Sequence, residues 1–139
     1  MEKGSMNIIM FSGTADKFIP LGNLTQTAAN MGVPVNIFVT GWATMAFRKE
    51  GYKQVNRVSK EFEDLAPALM QGMQEMGAPS WYEMLKSAKE VGDVKIYMCS
   101  TTAQAMKLDL KNDLDPIVDE VVGAAAFMQI SAGGQTIFI

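Results

Sequence analysis

A chain of 139 residues with 48% hydrophobic and 19% charged residues can bury a core, and it reads as one folded domain over residues 1–139. A formal net charge of −3 and a pI near 4.9 exclude non-specific nucleic-acid binding, which needs a basic face; no apolar run reaches the roughly 18–20 residues of a membrane span. The absence of histidine excludes a Ser-His-Asp triad, a Cys-His pair and the usual zinc sites.

In chain order, Asn7–Phe11 is a short apolar run that predicts a strand, and Ser12-Gly13-Thr14 a turn. Asp16–Met31 predicts a helix whose regular part begins near Pro20, since proline suits only a first turn. Gly32 ends it and Pro34 blocks continuation. Val35–Thr40 is β-branched and apolar on both faces, as buried parallel strands are, and Gly41–Phe47 predicts a short helix. Glu50–Lys60 has no clear period and reads as a loop. Leu65, Leu69, Met73 and Met76 mark a helix face closed by Gly77 and Pro79, and Met70, Met73 and Met76 read first as a core stripe. Ser80 and Glu83 form a capping-box pattern before a helix with Trp81, Met84, Leu85, Ala88 and Val91 on its buried side. Val94–Met98 predicts a strand ending at Cys99, Ser100–Leu108 a helix, Pro116–Val122 a strand, Gly123–Ala132 a helix and Gln135–Ile139 a closing strand.

Strands alternating with helices predict a three-layer α/β/α sandwich with a mainly parallel sheet of about five strands. Chemistry in such sheets gathers beyond the carboxyl ends of the strands, where Cys99 falls. Ser100, Thr101 and Thr102 behind it are good helix N-cap residues, and free amides there favour a thiolate. A thiolate is the nucleophile that accepts a sulfane sulfur. The competing reading is that Cys99 is a small buried hydrophobe. A lone cysteine forms no internal disulfide, which fits a reducing compartment, and the start MEKGSMNIIMFSG has no long apolar stretch of a signal peptide. The expected location is the cytoplasm.

Ser12, Gly13, Thr14, Thr40, Gly41 and Trp42 belong at the ends of the first two strands, on the same edge as Cys99. They are candidates to line one crevice with Ser100, Thr101 and Thr102, or else ordinary turn residues. No phosphate-binding glycine motif occurs, so no nucleotide cofactor is expected. Arg48, Lys49, Lys53, Arg57 and Lys60 form a basic stretch that reads first as a solvated face. Asp109, Asp113, Asp115, Asp119 and Glu120 lack metal-loop spacing and read as surface and cap chemistry; no metal site is expected. The apolar ending TIFI predicts a strand covered centrally or at an interface.

Three stretches together resemble the DsrE/DsrF-like sulfur-relay superfamily, in particular its DsrE-type branch, some members of which are described as peroxiredoxin-like. They are IIMFSGTADK with its helix ending AANMG, then VPVNIFVTGWATMAFRK, then VKIYMCSTTAQAMKL with DPIVDEVVGAAAFM and TIFI. The resemblance spans about residues 6–139. It implies a sulfurtransferase or sulfur carrier with a persulfide on Cys99, a trimer or hexamer, and exchange with TusA-like carriers or rhodaneses. Many DsrE-type relatives carry further cysteines or an N-terminal membrane segment; this chain has one cysteine. Beside this stands a second reading, a non-catalytic oligomeric binding or regulatory domain of the same fold.

Overall fold

The computed structural model describes residues 4–139; the first three residues of the stretch read against a signal peptide lie outside it. Five strands form one all-parallel sheet of order β4-β3-β2-β1-β5: β1 (Met6–Met10), β2 (Val35–Val39), β3 (Val94–Cys99), β4 (Glu120–Val122) and β5 (Gln135–Phe138). Five α-helices flank it: α1 (Ala15–Asn30), α2 (Ala66–Glu75), α3 (Trp81–Val91), α4 (Ser100–Ala105) and α5 (Ala124–Ser131). Gly41–Phe47 is a 3-10 helix. The α/β sandwich expected from the alternation of strands and helices is present.

Side chains alternate across a strand, so each strand serves two unequal faces. Ile8 and Met10, Ile37 and Val39, and Ile96 and Met98 point one way. They meet Phe18 and Leu21 of α1, Leu85 and Ala88 of α3 and Ala103 of α4 in the main core. The ring of Phe18 lies 4.4 Å from Trp81 and 6.4 Å from Phe47 between centroids. Phe38, Cys99 and Val122 point the other way, against Phe127 of α5. The rings of Phe38 and Phe127 stack 4.6 Å apart.

The strand order explains the imbalance. From β1 to β4 the chain steps in one direction across the sheet, and crossovers of one hand place their helices on one face. The connection from β4 to β5 returns across the whole sheet, and its helix lies on the opposite face. That face is therefore covered by α5 alone, eight residues long.

Several expectations are corrected. α1 starts at Ala15, so Pro20 lies inside it; the lost N–H to Asp16 and the ring's crowding are outweighed by Phe18 and Leu21, both fully buried beside it. α2 buries no residue and Met76 is 77% exposed, so the methionine stripe is not core. The capping box at Ser80 and Glu83 forms as expected, but Val91 at the far end of α3 is exposed. α4 stops at Ala105, and only Glu120–Val122 of the fourth predicted strand pairs. β5 lies at an edge rather than centrally, with Phe138 67% exposed. No helix among the described residues is long and apolar enough to cross a membrane.

Candidate functional site

Cys99 ends β3 and is the N-cap residue of α4, with extended backbone (φ −66°, ψ 119°). Its strand neighbours are Val39 of β2, paired with Met98, and Val122 of β4, directly opposite Cys99. Phe38, Val122 and Phe127 enclose it from the α5 side, leaving the residue 6% exposed. Burial is the largest single influence on the thiol and pushes its pKa up. The Thr40 hydroxyl, the Thr102 amide and hydroxyl, and the Thr101 amide favour the thiolate and together outweigh burial, so the pKa lies below the ordinary cysteine value.

The hydroxyls are arranged by the ends of two strands. Thr40 follows β2 and Thr102 lies in α4, and their Oγ1 atoms are 3.2 Å apart. Gly41 donates its N–H to Thr102 Oγ1 at 3.2 Å, which leaves the Thr102 proton available to another acceptor. Gly41 has a positive φ of 54°, and a Cβ there would meet the Phe11 ring at 2.4 Å; only glycine presents its amide in this way. Two hydroxyl protons thus face one hydroxyl partner and one sulfur. No imidazole or carboxylate is needed to hold the thiolate.

The nine residues expected to line one crevice with Cys99 do not share it. Thr40, Gly41, Thr101 and Thr102 gather about Cys99. Ser100 begins α4, half-buried, with its Oγ beside Gly123. Ser12 is committed to the backbone: Phe11 and Ser12 both donate N–H to the Ile139 carbonyl, at 2.7 and 3.1 Å. This closes the point between β1 and β5 where the strand order reverses, so the Cys99 thiol lies two strands away from it. Gly13, Thr14 and Trp42 line a separate cleft of about 430 Å³.

That cleft also contains Arg48 and Arg57, which the sequence placed on a solvated basic face. Lys53 instead pairs with Glu50 at 3.2 Å on the surface. The acidic stretch is divided as well. Asp109 accepts from the Lys111 amide and the Asn112 side chain, and Asp119 accepts from the Ile96 amide and Lys89. Asp115, expected on the surface, is 3% exposed and accepts the Tyr82 hydroxyl at 2.7 Å and the Ile117 amide at 3.0 Å. Burial first, then the Asp115 bond and charge, raise the Tyr82 pKa well above its ordinary value. Among the described residues no cluster of acidic and cysteine side chains could hold a metal ion.

Compared with known proteins, the chain finds no match among curated sequences. The model of the DsrE/DsrF-like family matches residues 8–138. The match runs from β1 to the end of β5 and includes the strand–Cys99–helix element. Nearly the whole chain being covered, it belongs to the DsrE/DsrF-like family, whose members point in general to sulfur relay.

Proposed function

We propose that the protein is a sulfur carrier of the sulfurtransferase kind, with Cys99 as its nucleophile. The observation that carries this reading is the sole thiol of the chain at a strand end, its thiolate favoured by two hydroxyls and two amides. In the first step the Cys99 thiolate attacks the outer sulfur of a persulfide or polysulfide. A new S–S bond forms, the donor's S–S bond breaks, and the donor leaves as a thiolate. In the second step a partner thiolate attacks the outer sulfur of the Cys99 persulfide and returns Cys99 as thiolate. Both steps are exchanges between sulfur centres and need no outside oxidant or reductant. The same donors that hold a thiolate also hold the persulfide anion.

Homo-oligomers, trimeric or hexameric, and a TusA-like carrier or rhodanese as exchange partner are the assembly and partners of this reading. Its support is the thinly covered sheet face and the open β5 edge, where Phe138 and Phe11 stack exposed at 6.0 Å. The second reading, a non-catalytic oligomeric domain, is favoured by one observation: Cys99 sits among Phe38, Val122 and Phe127 with 6% exposure.

Mass spectrometry of the intact protein after polysulfide treatment separates the two. Wild type should gain sulfur-mass increments that dithiothreitol removes, and Cys99→Ser should gain none while remaining folded, as a melting curve checks. Wild type that stays unmodified across the neutral range, under conditions that load a small free thiol, would refute the carrier reading.

A further inference from the structure

The cleft beside the first two strand ends is built differently from the rest of the surface. The chain is acidic overall, yet no carboxylate lines this cleft, while Arg48 and Arg57 both do. The Arg48 Nε donates to the Met45 carbonyl at 3.3 Å, which holds one edge of its guanidinium and leaves the terminal nitrogens free for a ligand. The Arg57 side chain makes no hydrogen bond or ion pair with the described residues. The Arg57 backbone is anchored, because its carbonyl accepts the Ala15 N–H at 2.7 Å, at the start of α1.

Trp42, Met45, Ala46 and Val55 add apolar surface to the lining. Trp42 is 66% exposed, an unusual position for an indole with no partner of its own. A Cβ on Gly13 would meet the Trp42 Cβ at 2.9 Å, so Trp42 packs closely on residue 13 only because that residue has no side chain. Gly51 fits against the Met45 carbonyl, where a Cβ would lie at 2.2 Å. A guanidinium group binds an oxyanion in a bidentate way, and two arginines line this cleft; an exposed indole offers a flat surface for an apolar or aromatic body. A volume of about 430 Å³ suits a small molecule rather than a folded partner.

We propose that this cleft binds a small organic oxyanion with a flat apolar body. Arg48 and Arg57 hold the oxyanion, and Trp42 covers the body. This binding does not depend on the carrier reading above. Trp42 lies one residue beyond Gly41, whose amide holds Thr102 beside Cys99, so the cleft wall and the thiol's support belong to one short segment.

Benzenesulfonate has the charge and the ring but no sulfane sulfur, so it reads binding without reaction. Titration calorimetry of the full chain with benzenesulfonate should show saturable binding. The indole NMR signal of Trp42 should shift and that of Trp81 should stay. Arg57→Gln and Arg48→Gln should each weaken binding about tenfold or more, with unchanged melting curves, because each removes a charge-assisted contact. The neutral benzenesulfonamide should bind about tenfold more weakly than the sulfonate. Absence of saturable binding up to about 10 mM, or an affinity indifferent to both arginine substitutions, overturns the proposal. If benzenesulfonate binds as described while polysulfide fails to load the protein, the cleft stands and the carrier reading falls; loading without binding gives the reverse.

Discussion

The Thr40–Thr102 pair allows the support of the thiolate to be counted proton by proton. While Cys99 is protonated, one hydroxyl donates to the other across 3.2 Å. When Cys99 ionises, both hydroxyls favour the sulfur, and the bond between them is given up. A hydrogen bond to a charged group contributes about 2 kcal/mol and a neutral one about 1 kcal/mol. Ionisation in the wild type therefore gains two charged bonds and loses one neutral bond, about 3 kcal/mol net on those values. Thr40→Val leaves a single hydroxyl with no partner to give up, so it still gains about 2 kcal/mol. The single substitution then costs only about 1 kcal/mol of thiolate stabilisation, whereas Thr40→Val with Thr102→Val costs about 3 kcal/mol. These are about a fivefold and a hundredfold or greater drop in thiolate fraction at a fixed pH below the titration midpoint. The losses are not additive, and that is the distinctive outcome. Because the chain has one cysteine, thiolate absorbance in the ultraviolet during a pH titration reports this group directly. Thr102→Val also leaves the Gly41 N–H without its acceptor, so melting curves must accompany the titration, and Thr40→Val is the cleaner single variant. A double variant that ionises like the wild type would refute the hydroxyl support altogether, and strictly additive losses would refute the shared bond.

The lowered pKa of Cys99 sets a sign for stability. The folded state holds its thiolate at a pH where the unfolded chain, with an ordinary value of about 8.5, is still protonated. Wild type should therefore gain stability over Cys99→Ser as pH rises through the folded value towards that ordinary value, and lose it again as pH falls; a melting difference flat from about pH 6 to about pH 9.5 would contradict this. Light scattering at micromolar concentration should report an oligomer, reduced by Phe138→Asp at the open edge of β5; wild type found only as monomer would remove the assembly from the proposal.

What the sequence conveyed and what it hid follow from the range of the interactions. The buried strands announced themselves because parallel strands covered on a main core face read as continuous apolar runs, as VNIFV does. Ser80 and Glu83 were legible because a capping box is a local bond pattern four residues long. Pro20 misled because the local rule against proline is overridden by Phe18 and Leu21 packed in the core. The methionines of α2 misled in the opposite direction: their spacing is helical, but helical spacing does not say which face meets the core. Asp115 was hidden because its partner Tyr82 lies in α3, distant in the chain. The division of the expected crevice was hidden too, since strand-end position places residues on an edge without saying which neighbour each will meet. Ser12 went to Ile139, Trp42 to the cleft lined by Arg48 and Arg57, and Thr40 to Thr102.

The topology also bears on how an enclosed thiol can meet a donor. Cys99 is on the sheet face that only α5 covers, and Phe127 is the one buried side chain of that helix. Burying a phenylalanine is worth about 1.5–3 kcal/mol, with about 0.5–1.5 kcal/mol more for its stacking on Phe38. That is small beside the main core, where Phe18, Leu21, Ile8, Met10, Ile37 and Leu85 are all fully buried. The cover over Cys99 is thus less costly to displace than the main-core packing, while the groups that favour the thiolate, Thr40 just after β2 and Thr101 and Thr102 on α4, are tied into the main core through Val39 and Ala103. Local opening that exposes the sulfur need not disturb what polarises it. A buried cysteine and a reactive one are then compatible in the same residue, because the helix that covers the sulfur, α5, is not among the elements that carry its hydroxyl and amide donors.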